Sequence, residues 1–313
     1  MNSIVRNNTD SVEYFIIFNG SNLITGIIIL IYFLLFPFYV YVNKANRKRD
    51  QAVLIYPFTK HFFKMTVVMS ILYVIFIAGM LSGVLFLVRK SPYIAVSGLA
   101  IFFAIQALSL VTHVFNLLLS LLGIAKFILY FFPSQEKRVS SIQKSVYRRI
   151  WLLYVACSFE DAILYVWVLR ENEMNIIKIG LLVSQTICIL ISALLYIPIL
   201  ISVRKLANLA SALENNPQKY IFWQTMTVFI FKLLYIPAIA FALLVSTFPS
   251  LYLTTSVRCV DIFTTPLIIQ ISYLLCNKRN VNTLLTSFNL KTFLKVLFNQ
   301  KTNSAVRPLH QIQ

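Results

Sequence analysis

Seven long, nearly uninterrupted apolar stretches constrain this chain more than any other feature; they span 23–42, 65–88, 94–122, 150–169, 179–203, 221–247 and 251–276. A helix needs roughly 20 apolar residues to cross about 30 Å of hydrocarbon, with every backbone polar group satisfied inside it. The blocks are apolar all round rather than striped, which suits contact with lipid and not the surface of a soluble core. Hydrophobic residues make up 59% of the 313 and charged residues only 12%, about half the share in soluble domains. The expected fold class is an all-α membrane protein, a bundle of seven transmembrane helices.

Loop charge gives the bundle a direction. Segments 43–64, 123–149, 204–220 and 277–313 hold 21 of the 28 Lys and Arg, whereas 1–22, 89–93 and 170–178 hold five. Short cytoplasmic loops collect Lys and Arg, so the N-terminus is expected outside and the C-terminus in the cytoplasm. On this reading the net charge of +18 is a footprint along an anionic leaflet and not a sign of nucleic acid. Residues 1–22 form an extracellular tail without the pattern of a cleavable signal, and the first span serves as the targeting signal. That tail carries a glycosylation sequon at Asn7 and a second at Asn19. Cys157, Cys188, Cys259 and Cys276 all fall within spans, so no extracellular disulfide is expected.

The outer connections are too short to fold into a ligand-binding domain, and the cytoplasmic ones are longer and more polar. Residues 277–313 form a cytoplasmic tail. Within it, 281–298 reads as a short interfacial helix broken near Asn289, with Leu284, Leu285, Phe288 and Leu294 on the apolar side.

Ionisable side chains inside spans are expensive in hydrocarbon and are expected to face the bundle interior. Glu160 and Asp161 in the fourth span, Lys232 in the sixth, and Arg258 and Asp261 in the seventh fall in one slab near mid-depth. They either pair with one another to fix packing or form the polar floor of a ligand cavity, and the two roles are compatible. His113 and Asn116 share a face of the third span and read as interhelical hydrogen-bonding groups. His61 and His310 fall in a cytoplasmic loop and the tail, so no metal site, no cofactor and no catalytic constellation is expected. Pro237 and Pro266 each follow a mid-membrane charge by five residues and are hinge candidates.

This topology resembles that of a G-protein-coupled receptor, with two departures. The third span ends on Ala125-Lys126-Phe127, and the seventh carries Thr265-Pro266-Leu267-Ile268-Ile269. Both suit a narrower group. The run Phe127-Ile128-Leu129-Tyr130-Phe131-Phe132-Pro133-Ser134 with Glu136-Lys137 is similar to that of the nematode serpentine receptor class Z (Srz) chemoreceptors. So are Pro217-Gln218-Lys219-Tyr220-Ile221 with Gln224-Thr225, and the stretch from Asp261 through Pro266 and Tyr273 to Cys276-Asn277-Lys278-Arg279-Asn280. The resemblance implies a plasma-membrane receptor of sensory neurons that detects a small external molecule and signals through a heterotrimeric G protein. Lys126 stands where relatives are expected to carry Arg, a planar fork replaced by a point charge.

On that footing the ligand would enter from outside and contact the cavity above the charged slab, and the sixth span would swing at Pro237. Lys126, Tyr130, Arg148 and Arg204 would face the G protein. Two rivals come from other classes. A seven-span ligand-gated channel of the insect chemoreceptor type would keep its N-terminus inside, against the charge split. A small-molecule transporter would more naturally show an even number of spans and an inverted repeat.

Overall fold

The structure, a computed structural model, describes residues 23, 25–47, 51, 56–90, 93–168, 187, 190–191, 194–195, 198, 225–228, 230, 250–275, 278–285 and 294. Of these, the side chains of 163–168, 250–258 and 278–279 lie outside the description. Apart from Phe132, the described residues are helical or lie in turns, and no strand occurs among them. The long elements are α1 (Thr25–Arg47), α2 (Tyr56–Val88), α3 (Ile94–Phe131), α4 (Glu136–Arg148), α5 (Ile150–Val168), α6 (Ser250–Leu275) and α7 (Lys278–Leu285). Among the described residues α1, α2 and α3 are long and apolar enough to cross a membrane, and Cys259–Leu275 is a shorter apolar helix.

Helix and apolar stretch do not end together. α2 begins nine residues before the apolar block at 65, because helical hydrogen bonding continues where lipid contact stops. Pro57 suits the first turn of a helix, where its missing N–H costs nothing, while Lys60 and Lys64 lower the local hydropathy and hide that start. α3 runs to Phe131, well past 122, and its 38 residues measure about 57 Å at the helical rise. The following segment, expected as a loop, is a 3-10 turn at Pro133–Gln135 and then the amphipathic helix α4. Its spacing of Val139, Gln143 and Val146 is a helical one, and its exposed side is basic. α7 starts at Lys278, three residues earlier than the expected interfacial helix.

α2 and α3 run antiparallel and approach closely near their shared connection. A Cβ added at Gly79 would stand 2.8 Å from Ile101 Cγ1, and one at Gly83 would stand 3.3 Å from Ser97 Oγ. Small residues four apart let two backbones meet where lipid offers no hydrophobic driving force. Further along, Phe62 meets Phe115 edge to face at 5.1 Å between centroids. α3 also packs against α5, α4 and α6. The outward sides of α2 and α5 carry Ile71, Val74, Leu81, Leu85, Trp151, Val155 and Phe159, all exposed. Those faces suit acyl chains.

Most of the buried cluster lies towards one end of the bundle, where α1, α3 and α6 finish and α2 and α5 begin. Phe62, Met65, Met69, Leu118, Leu119 and Leu122 pack there with Tyr39, Tyr73 and Ile269. This basic end of the bundle also bears most of the described cations.

Candidate functional site

Two buried tyrosines, Tyr32 and Tyr73, join α1 to α2 and α2 to α6. The Tyr32 hydroxyl donates to the Thr66 carbonyl at 2.9 Å and also meets the Ser70 hydroxyl. Its ring lies edge-on to Tyr73 at 5.2 Å. Tyr73 stacks on Phe263 at 5.9 Å, and its hydroxyl donates to the Ile262 carbonyl at 2.6 Å. Ile262 is four residues before the buried Pro266, so its carbonyl is the acceptor that the proline leaves without an intrahelical N–H. A side chain of α2 thus supplies the donor that α6 lacks. Elsewhere on α6, the Thr264 and Ser272 hydroxyls bond back to the Val260 and Ile268 carbonyls at 2.7 and 2.6 Å.

At the basic end the Asn46 side-chain amide donates to Asn280 Oδ1 at 2.8 Å. Asn280 Nδ2 in turn donates to the Tyr273 carbonyl at 2.6 Å, and Tyr273 meets Tyr39 edge to face at 5.3 Å. Both asparagines are buried. This relay satisfies a carbonyl in the last turn of α6 and ties the junction between α6 and α7 to α1.

On the other side of the bundle His61 Nε2 and the Tyr154 hydroxyl lie 3.1 Å apart, joining α2 to α5. Burial, with the Lys64 ammonium adding to it, pushes the His61 imidazole down to about 4, so it is neutral at physiological pH. The sequence reading places His61 in a loop; the early start of α2 places it on a helix and within reach of α5.

The site candidates are dispersed over these elements. Asn116 is buried on α3 in line with Thr112 and Ser120, and His113 is half-buried one helical position aside. Glu160 and Asp161 are half-buried on α5, and Asp261 is half-buried on α6. Lys126 is half-buried near the end of α3, where desolvation lowers its pKa, and Tyr130 packs against the core cluster. Arg148 is exposed at the end of α4, and Pro266 is buried within α6. Lys232, Arg204, Pro237 and Asn7 lie outside the described residues, as does the Arg258 side chain, and the expected interfacial helix lies mostly outside them.

Two features were not expected from the sequence, the burial of Gln270 and the contact of Tyr73 with α6. Gln270 is fully buried on α6, and among the described residues neither its amide atoms nor those of Asn116 have a hydrogen-bond partner. The signal for Gln270 was present, since it stands six residues before the basic end of its apolar stretch, as the expected Asn116 does in its own. The Tyr73 contact left no local trace.

Compared with known families, residues 22–278 match the one described as serpentine type 7TM GPCR chemoreceptor Srz, which covers most of the chain. The chain belongs to the Srz chemoreceptor family. Neither curated proteins nor solved structures provide a further match. The Srz match spans the region from the start of α1 to the start of α7, so the contacts of Tyr32, Tyr73 and Tyr154 and the pair Tyr39–Tyr273 lie inside it, and Asn280 falls two residues beyond. In this Srz chain α6 carries an internal proline, is braced at Ile262 by α2 and is tied at its end to α1.

Proposed function

We propose that this Srz chain is a seven-span chemosensory receptor of the plasma membrane of sensory neurons. Its N-terminus is outside, a small external molecule binds within the bundle, and a heterotrimeric G protein engages the basic end. The family match carries this reading. The 21-to-5 division of Lys and Arg supports the direction, and the short outer connections leave only the bundle interior for a ligand. The mid-membrane charges Glu160, Asp161, Lys232, Arg258 and Asp261, with His113 and Asn116, line or support that cavity.

Activation, on this proposal, changes how α6 is held. Pro266 removes one helical hydrogen bond, and Tyr73 supplies a substitute from another helix. A contact between helices can exchange partners while one within a helix cannot, so the bend is a place where two packings differ by little. Ligand shifts the balance only through a difference in affinity between the two. Pro237 is the corresponding hinge of the sixth span, and Lys126, Tyr130, Arg148 and Arg204 contact the G protein.

The test is heterologous expression with a calcium or cyclic-nucleotide readout against a panel of small volatile and water-soluble compounds. A dose-dependent response that needs the co-expressed G protein supports the proposal. Ligand-evoked current or uptake that persists without any G protein overturns it. Glycosylation at Asn7 in microsomes checks the direction independently, because only an outer tail reaches the lumen.

A further inference from the structure

We infer that α4 carries a binding row for the phosphate headgroups of anionic phospholipids, formed by Lys137, Ser141, Lys144 and Arg148. These residues are spaced by four, three and four, which places them in one row along the helix. All four are exposed. The opposite side is occupied: Val139 and Gln143 are buried, Val146 packs on the core cluster, and Tyr147 meets Phe58 edge to face at 6.2 Å. The row therefore points away from the bundle. The row is about 16 Å long at the helical rise, so Lys137 at one end and Lys144 with Arg148 at the other meet neighbouring headgroups, and each phosphate diester accepts hydrogen bonds from the cation nearest it. Glu136, at the first position of α4, is the helix's one acidic residue, while Arg138 and Arg149 add further positive charge beside the row.

A lipid suits this row better than an acidic protein surface does. Phe132 and the 3-10 turn tether α4 to α3, and Arg149 alone separates it from α5, so both ends are held by apolar helices. Phe132, Ile142 and Trp151 stand exposed around it, by 56%, 60% and 59%. Trp151 opens the exposed apolar stripe of α5 that continues through Val155 and Phe159. Cations adjoining an indole at the end of an acyl-facing stripe match the headgroup level of a bilayer. Arg148, at the end of the row, is shared with the G-protein surface of the proposed function; Lys137, Ser141 and Lys144 are not, and the inference does not rest on G-protein coupling.

The experiment uses the full-length protein purified in detergent, with phosphatidylserine or phosphatidylcholine added and bound lipid counted by native mass spectrometry. The wild type is expected to retain phosphatidylserine preferentially. K137A/K144A/R148A is expected to retain about fivefold less, and K137R/K144R to match the wild type. All three side chains are exposed, and thermal melting verifies that the variants are folded. Equal retention of the two lipids, or undiminished phosphatidylserine on the triple variant, overturns the assignment. The proposal equally falls if the triple variant keeps its lipid but fails to capture purified heterotrimer in nanodiscs of phosphatidylcholine alone. That result would make the row a protein-docking face.

Discussion

The Tyr73 hydroxyl donates a 2.6 Å hydrogen bond to the carbonyl of Ile262, 189 residues away in sequence. That carbonyl is the one Pro266 strips of its helical partner. Tyr73→Phe is expected to lower stability by about 0.6–2 kcal/mol, the range for hydrogen bonds between helices in lipid. Pro266→Ala returns an N–H to the Ile262 carbonyl, so the Tyr73→Phe cost should shrink in the double variant. Thermal melting of the four proteins in one detergent checks this, and strictly additive losses would show that the hydroxyl serves something other than the bend.

Gly79 and Gly98 make opposite cases. Alanine at 79 would put its Cβ 2.8 Å from Ile101 Cγ1, near the root of a branched side chain, whereas nothing lies within 4 Å at 98. Gly79→Ala is expected to cost about 1–3 kcal/mol through overpacking at the α2–α3 contact. Gly98→Ala should gain up to about 1 kcal/mol from helix propensity. Melting temperatures that move in opposite directions meet the prediction.

His61 makes the fold sensitive to acid. Its folded pKa of about 4 lies below the ordinary 6.5, so between those values the unfolded chain binds the extra proton. Stability is then fully present above about 6.5 and is lost as pH falls towards 4. His61→Gln should flatten that part of the melting profile between pH 7 and pH 4. An unchanged profile would assign the acid sensitivity to other groups.

Lys126 separates stability from signalling. Its half-buried ammonium is desolvated, so Lys126→Met is expected to leave the melting temperature level or raise it. If the residue contacts a G protein, the same variant and Lys126→Glu should abolish the ligand-dependent signal while Lys126→Arg retains it. An unaltered dose-response for Lys126→Glu, at matched surface expression, would remove Lys126 from the coupling surface.

Sequence alone determined that the chain is built of long apolar helices, because suitability for lipid adds up residue by residue along a segment. It also marked Pro266, since a proline ring disturbs the helix wherever it stands. Helix ends were less legible: α2 and α3 extend beyond their apolar blocks, as backbone hydrogen bonding is indifferent to whether lipid or water lies outside. Only the tertiary structure decided which groups meet. Tyr73 with Ile262, Asn46 with Asn280 and His61 with Tyr154 each depend on the rotation and depth of two helices far apart in sequence. Those are set by packing small residues such as Gly79 against Ser97 and Ile101, a property of paired surfaces that no single segment carries.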